Sequence, residues 1–96
     1  MKHKAADSFW RDFKRLPKNY QKKAEKAFKL FSENQRHPSF ETHPLRGTHN
    51  PKLYVGYLDD GYRFIFHYEH DAIVYRRIGK HEIEDEETRR RSKRKR

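Results

Sequence analysis

"KLYVGYLDDGYRFIFHYEHDAIVYRRI", residues 52 to 78, decides the fold. Three runs rich in aromatic and β-branched residues, "KLYVGYL", "YRFIFHYE" and "AIVYRRI", are separated by "DDG" and "HD", the turn chemistry of tight hairpins. The pattern predicts a three-stranded antiparallel meander. Alternation along the middle run puts Tyr62, Phe64, Phe66 and Tyr68 on one face and Arg63, Ile65 and His67 on the other. The all-aromatic face should lie under a covering layer. Arg63 should then point to an open face from the central strand, where a rigidly flanked arginine can hold a phosphate or carboxylate.

Upstream of the meander the period changes from two to that of a helix. Asp7 or Ser8 can cap a helix in which Phe9, Phe13 and Leu16 fall at i, i+4 and i+7. "LPKN" breaks it, and Pro17 suits the first turn of a second helix whose stripe of Tyr20, Ala24, Ala27, Phe28 and Phe31 runs to about Gln35. Two helices joined at one proline predict an antiparallel hairpin. "HPSFETHPLRGTHNP", residues 37 to 51, holds three prolines and a glycine and reads as an irregular connecting loop. The residues before Asp7 can add one short strand. The expected fold is therefore α+β, a helix hairpin packed on one face of an antiparallel sheet with the other face open.

Ninety-six residues fit one domain with a thin core. Apolar residues make up 32% of the chain and charged ones 40%, but 15% aromatic content indicates packing rather than disorder. With no cysteine, the fold cannot depend on disulfides or thiolate zinc sites. No signal-peptide pattern and no run of membrane-spanning length is visible, so the expectation is a soluble cytoplasmic protein that meets no membrane. The net charge of +10 is concentrated at one end. The last eight residues, "RRRSKRKR", hold seven basic side chains, which leaves 17 basic against 14 acidic in residues 1 to 88. Residues 1–88 read as the single domain. Residues 89–96 read as a disordered basic arm, with Arg89, Arg90, Arg91, Lys93, Arg94, Lys95 and Arg96 available to neutralise RNA phosphates.

No metal signature stands out among the seven histidines, and neither a Gly-rich phosphate loop nor a serine nucleophile elbow is present. No cofactor is expected. What remains is histidine, arginine and carboxylate: His43, Asp59, Asp60, Arg63, Arg76, Arg77 and His81. These types suit cleavage of RNA, in which the 2'-hydroxyl is deprotonated, attacks phosphorus and expels a 5'-oxygen that must be protonated. Histidine can act as base or acid near neutrality, and arginine can offset charge building on the phosphorane oxygens.

Three motifs in order, "HPLRG" at 43 to 47, "GYRFIFHY" at 61 to 68 and "RRIGKHE" at 76 to 82, resemble the RelE/ParE superfamily of small toxins from bacterial toxin-antitoxin pairs. The resemblance spans roughly Asp7 to Glu87 and is nearest to the RelE/YafQ-like messenger RNA interferases. It implies a helix hairpin on an antiparallel sheet whose concave face takes message in the ribosome, and a cognate antitoxin as partner. By the same resemblance Arg63 contacts the scissile phosphate, and His43 and His81 match the two histidines of the YafQ-like branch. His81 is then the general acid and His43 the base, with Arg46, Arg76 and Arg77 contacting RNA. Tyr57, standing where that branch has a histidine, and Asp60, just before "GYR", are supporting residues.

The function expected is a metal-independent endoribonuclease toxin acting on ribosome-associated message. Two alternatives use the same scaffold: a non-enzymatic, ParE-like inhibitor of DNA gyrase, and a catalytically weakened RNA- or ribosome-binding module. The acids of "EIEDEE", residues 82 to 87, fit none of these directly. They would repel RNA from the edge they occupy unless they pair with the basic tail seven to nine residues further on, and a carboxylate beside His81 would favour its protonated form.

Overall fold

The computed structural model describes residues 1–59 and 61–94, with side chains described as far as Arg89. The meander is the middle of a larger mixed sheet. Strands β3 (Tyr54–Tyr57), β4 (Arg63–Glu69) and β5 (Ala72–Gly79) pair antiparallel. Strand β1 (Lys2–Ala5) adds parallel to β5 and β2 (His43–Pro44) adds antiparallel to β3, giving the order β1-β5-β4-β3-β2. The short N-terminal strand was expected, whereas β2 was not. The loop that houses β2 owes its order to Thr48, which is fully buried: its hydroxyl donates to the Leu45 carbonyl at 2.7 Å and accepts the Leu53 N–H at 2.9 Å.

Helices α1 (Asp7–Arg15) and α2 (Lys18–Glu33) cover the aromatic face. Neither Asp7 nor Ser8 caps α1. Ala6 holds the N-cap position without a side-chain bond, and Ser8 instead donates its hydroxyl to the Arg76 carbonyl at 2.7 Å, tying α1 to β5. The break at Pro17 follows from its ring, which drives Leu16 to an extended ψ of 144°. The Gln21 side chain then donates to the carbonyls of Phe13 and Leu16 at the end of α1, so the second helix caps the first. Phe28 and Phe31 meet Phe64 edge-on at 5.0 and 5.2 Å between ring centres, and Phe31 meets Phe66 at 5.0 Å. Such edge-to-face pairs stabilise the layer beyond the area they bury.

An irregularity in β5 sets what each face carries. Ile65 pairs with Arg77 but Phe66 pairs with Tyr75, so Arg76 is the extra residue of a β-bulge. Strict alternation would place Ile73, Tyr75 and Arg77 together and send Ile78 to the opposite face. The bulge shifts the phase, and Ile73, Tyr75 and Ile78 all enter the aromatic core.

The opposite face is not open, which corrects the simplest reading of the sequence. A third helix, α3 (Glu82–Arg94), follows β5 and seats Ile83 among Leu45, Leu53, Val55 and Ile65, a second and smaller apolar cluster. Burying Ile83 stabilises that seat by about 1.5–3 kcal/mol. His67, expected on the open face, is also buried and lies 3.5 Å from the Glu69 carboxylate. The fold is thus α+β with three helices and a five-stranded mixed sheet, in place of two helices and a bare meander. Helix α3 reaches Arg94 and so enters the segment expected to be a disordered arm. Among the described residues no helix is long and apolar enough to cross a membrane.

Candidate functional site

Arg63 is the first residue of β4, paired across the sheet with Tyr57 of β3 and Gly79 of β5. Its guanidinium carbon lies 4.8 Å from the centre of the Tyr57 ring, within cation–π range. Its Nη1 donates to Glu84 of α3 at 2.7 Å. The side chain is 17% exposed, and its Nε, shielded from solvent, has no acceptor among the described residues. This guanidinium is fixed in direction by Tyr57 and Glu84, and its buried Nε can meet another anionic oxygen only if those neighbours move. A groove of about 350 Å³ opens onto it, lined by Ser39, Glu41, Tyr57, Asp59 and Arg63, within the size range of small-ligand sites.

Asp59 shapes the far wall of that groove. Burial works against its charge, but hydrogen bonds from the Tyr20 hydroxyl, the Tyr62 N–H, Lys23 and the Gly61 N–H outweigh burial and hold the carboxyl well below the usual carboxylate range. Asp59 therefore stays ionised and pins the β3–β4 turn to α2. It is a scaffold for the groove and cannot serve as a proton donor near neutrality. Asp60, its neighbour, lies outside the described residues.

His43 sits on β2, opposite Val55, with its ring 5.7 Å from the Tyr57 ring. Nδ1 lies 3.2 Å from the Glu41 carbonyl, which can only accept, so Nδ1 carries the proton and Nε2 of the neutral ring is the basic nitrogen. Tyr57 thus neighbours both His43 and Arg63. A second cleft of about 400 Å³ runs beside the pair, lined by His43, Pro44, Leu45, Arg46, Glu84, Asp85 and Thr88. Arg46 lies exposed at its rim.

His81 is placed differently. It stands just before α3, two residues beyond the Gly79 that pairs with Arg63, and its carbonyl accepts the Glu84 N–H at 3.0 Å. Its side chain is 72% exposed, and Nδ1 lies 3.9 Å from Glu82. Among the described residues no hydrogen bond or ion pair joins His81 to Arg63 or His43.

Arg76 and Arg77 are engaged by acids. Arg77 donates to Asp12 of α1 from Nε and Nη2 at 2.6 and 3.2 Å, and its Nη2 also reaches Glu86 at 3.1 Å. Burial opposes its charge, but Asp12 and then Glu86 reverse the effect and raise its pKa. Arg76 lies 3.7 Å and Arg77 3.8 Å from the Glu87 carboxylate, which is only 1% exposed. The acids that the sequence left unexplained are therefore counterions. Glu84, Glu86 and Glu87 neutralise the arginines of the sheet, and Asp12 joins them from the other layer.

Arg89 is exposed on α3. The contacts expected of Arg90, Arg91, Lys93, Arg94, Lys95 and Arg96 lie outside the described residues. Among the described residues no three of His, Asp and Glu are grouped to hold a metal ion. The acidic counterions were missed by sequence reasoning, although a signal was present: acids in a first turn followed by basic residues is the charge order that a helix dipole favours.

No protein-family model and no curated protein matches this chain in sequence. Solved structures do match in shape. A metal-bound toxin from Helicobacter pylori superposes with a TM-score of 0.72 at 21% identity, over 85% of this chain and 96% of that one. YafQ in the Escherichia coli DinJ–YafQ complex gives 0.70 at 16%, over 84% and 93%. The archaeal RelE–RelB complex from Pyrococcus horikoshii gives 0.65 at 20%, over 82% and 92%. At these identities the likeness speaks for the backbone and leaves individual residues to be argued from their own geometry. This chain has a RelE/ParE-like toxin fold.

Proposed function

We propose that this chain is the toxin of a type II toxin-antitoxin pair and acts as a metal-independent endoribonuclease on messenger RNA associated with the ribosome. The observation that carries the reading is Arg63, stacked on Tyr57 at the head of the central strand with a groove before it. A phosphodiester placed there would take a hydrogen bond from that guanidinium, whose charge offsets the negative charge that grows on the phosphorane oxygens. His43 supports the step with its basic Nε2, which can accept the 2'-hydroxyl proton as the 2'-oxygen attacks phosphorus. The phosphorus–5'-oxygen bond breaks, and the departing 5'-oxygen takes a proton from His81, exposed at the start of α3. Tyr57 positions Arg63 and His43 relative to each other. A cognate antitoxin is the natural partner, since YafQ and the archaeal RelE are each solved with one, DinJ and RelB.

Primer extension on a message, with and without ribosomes, tests the reading. Wild type should leave discrete stops, and Arg63→Gln, His43→Ala and His81→Ala should each remove them by about a hundredfold or more. Stops that persist at full strength in Arg63→Gln would refute the assignment. The Arg63–Glu84 bridge favours a second reading, a binding module whose phosphate ligand is occupied. That module would bind message and arrest translation with no stops at all. A gyrase inhibitor would instead block DNA supercoiling and leave translation intact.

A further inference from the structure

The arginine face of the sheet is closed by the chain's own carboxylates. Glu84 meets Arg63 at 2.7 Å, Glu86 meets Arg77 at 3.1 Å, and buried Glu87 sits between Arg76 and Arg77. Residues 84 and 87 are three apart, so they fall on one side of α3 together with Ile83, which anchors the helix in the apolar seat. A carboxylate offers a guanidinium the same pair of anionic oxygens that a phosphate does. Helix α3 therefore occupies, with an internal stand-in, the donors that a nucleic-acid backbone would need.

We propose that α3 is an autoinhibitory latch: its acidic first half holds the arginine face shut, and single-stranded RNA binds productively only when phosphates displace Glu84 and the helix lifts from Ile65 and Leu53. The inference rests on the reading of Arg63 as a phosphate ligand. Opening exchanges Glu84, Glu86 and Glu87 for phosphates as partners of Arg63, Arg76 and Arg77, and gives up the Ile83 seat. The same helix then continues into "RRRSKRKR", so the freed segment carries charge of the sign that RNA attracts.

The latch is tested by fluorescence anisotropy with a short 2'-O-methyl oligoribonucleotide, which lacks the attacking hydroxyl and is bound without being cut. Glu84→Gln should tighten binding about tenfold, because the closed population falls when its ion pair is lost. Arg63→Gln added to it should erase the gain. Ile83→Ala, which loosens the seat but leaves the acids and arginines in place, should also tighten binding, so the test survives if either variant folds poorly. Glu33→Gln, on the far end of α2, removes the same charge and should bind as wild type. Amide exchange in residues 82–89 should speed up when the oligonucleotide binds.

Affinity unchanged in both folded α3 variants, or α3 amides that gain protection with RNA bound, would overturn the latch. The nuclease reading fails separately. If affinity and exchange behave as expected but neither wild type nor Glu84→Gln cuts a natural message on ribosomes, the latch stands and the nuclease falls. Full cutting by wild type with no change in either α3 variant gives the converse.

Discussion

Gly56 offers a sharp test of how the aromatic layer is built. It pairs with Phe64 across β3 and β4, and the Phe64 ring folds over it. A methyl group at position 56 would stand 2.5 Å from Phe64 Cζ and 3.0 Å from Cε1 and Cε2, where real contacts need about 3.4 Å or more. The ring would have to retreat by about 1 Å, yet it is fully buried and walled by Phe28, Phe31 and Phe66 at 5.0, 5.2 and 5.6 Å. Overpacking of that kind costs about 1–3 kcal/mol, and a ring hemmed on three sides puts Gly56→Ala at about 3. For a chain of this size that lowers the melting temperature by about 12 °C or more. The assay is thermal unfolding by circular dichroism of Gly56→Ala, Phe64→Leu and the double variant. Since the clash needs the ring, Gly56→Ala should cost less than about 1 kcal/mol on the Phe64→Leu background. A single variant melting within about 3 °C of wild type, or strictly additive effects, would refute the close approach.

Asp59→Asn should make the wild-type advantage depend on pH. The folded carboxyl is depressed, so its contribution is complete above the unfolded value of about 3.9 and fades as pH falls toward the folded one. Melting temperatures of the two proteins should differ most near neutrality and converge in acid, and a gap that widens below about pH 4 would contradict the hydrogen bonds assigned to Asp59. Thr48→Val keeps the shape of a fully buried side chain but leaves the Leu45 carbonyl and Leu53 N–H unmatched, a loss of about 2–4 kcal/mol measurable by urea unfolding. Asp12→Asn weakens both the Arg77 bridge and the bond from the Ile78 N–H, and should cost about 2 kcal/mol, with salt reducing the difference.

The meander and the two leading helices were legible because each rests on local periodicity. Tyr62, Phe64 and Phe66 of the expected stripe and the i, i+4, i+7 spacing of Phe9, Phe13 and Leu16 survive in the structure as the two sides of one core, whereas Tyr68 at the end of the stripe is exposed. What escaped the sequence depends on individual bonds and on strand register, neither of which leaves a period. β2 is two residues long and exists because Thr48 folds the loop back on itself, a bond that no period announces. The bulge at Arg76 reverses the faces of Ile78 and Arg77, and only a register set by the neighbouring strand reveals it. Helix α3 has one well-buried apolar residue among its described side chains, Ile83, so hydrophobic periodicity could not find it. At the candidate site, Arg63 and His43 converge on Tyr57, whereas His81, matched by motif alone, stands apart on the surface.

The charge of the folded part is arranged so that the two faces differ more than the sequence total suggests. On the sheet face Arg63, Arg76 and Arg77 meet Glu84, Glu86, Glu87 and Asp12, and with the latch closed that face contributes no net positive field. On the helical face Lys14, Lys18, Lys22, Lys26 and Lys29 are exposed. Beyond a Debye length these charges are screened; nearer in, the exposed lysines of the helical face attract a polyanion, whereas the carboxylates beside Arg63, Arg76 and Arg77 offset their pull. If Arg63 is a phosphate ligand, as proposed, capture there is decided at short range, by a phosphate competing directly with Glu84 for the same guanidinium. The acidic run that separates the sheet from the basic segment is what imposes that condition.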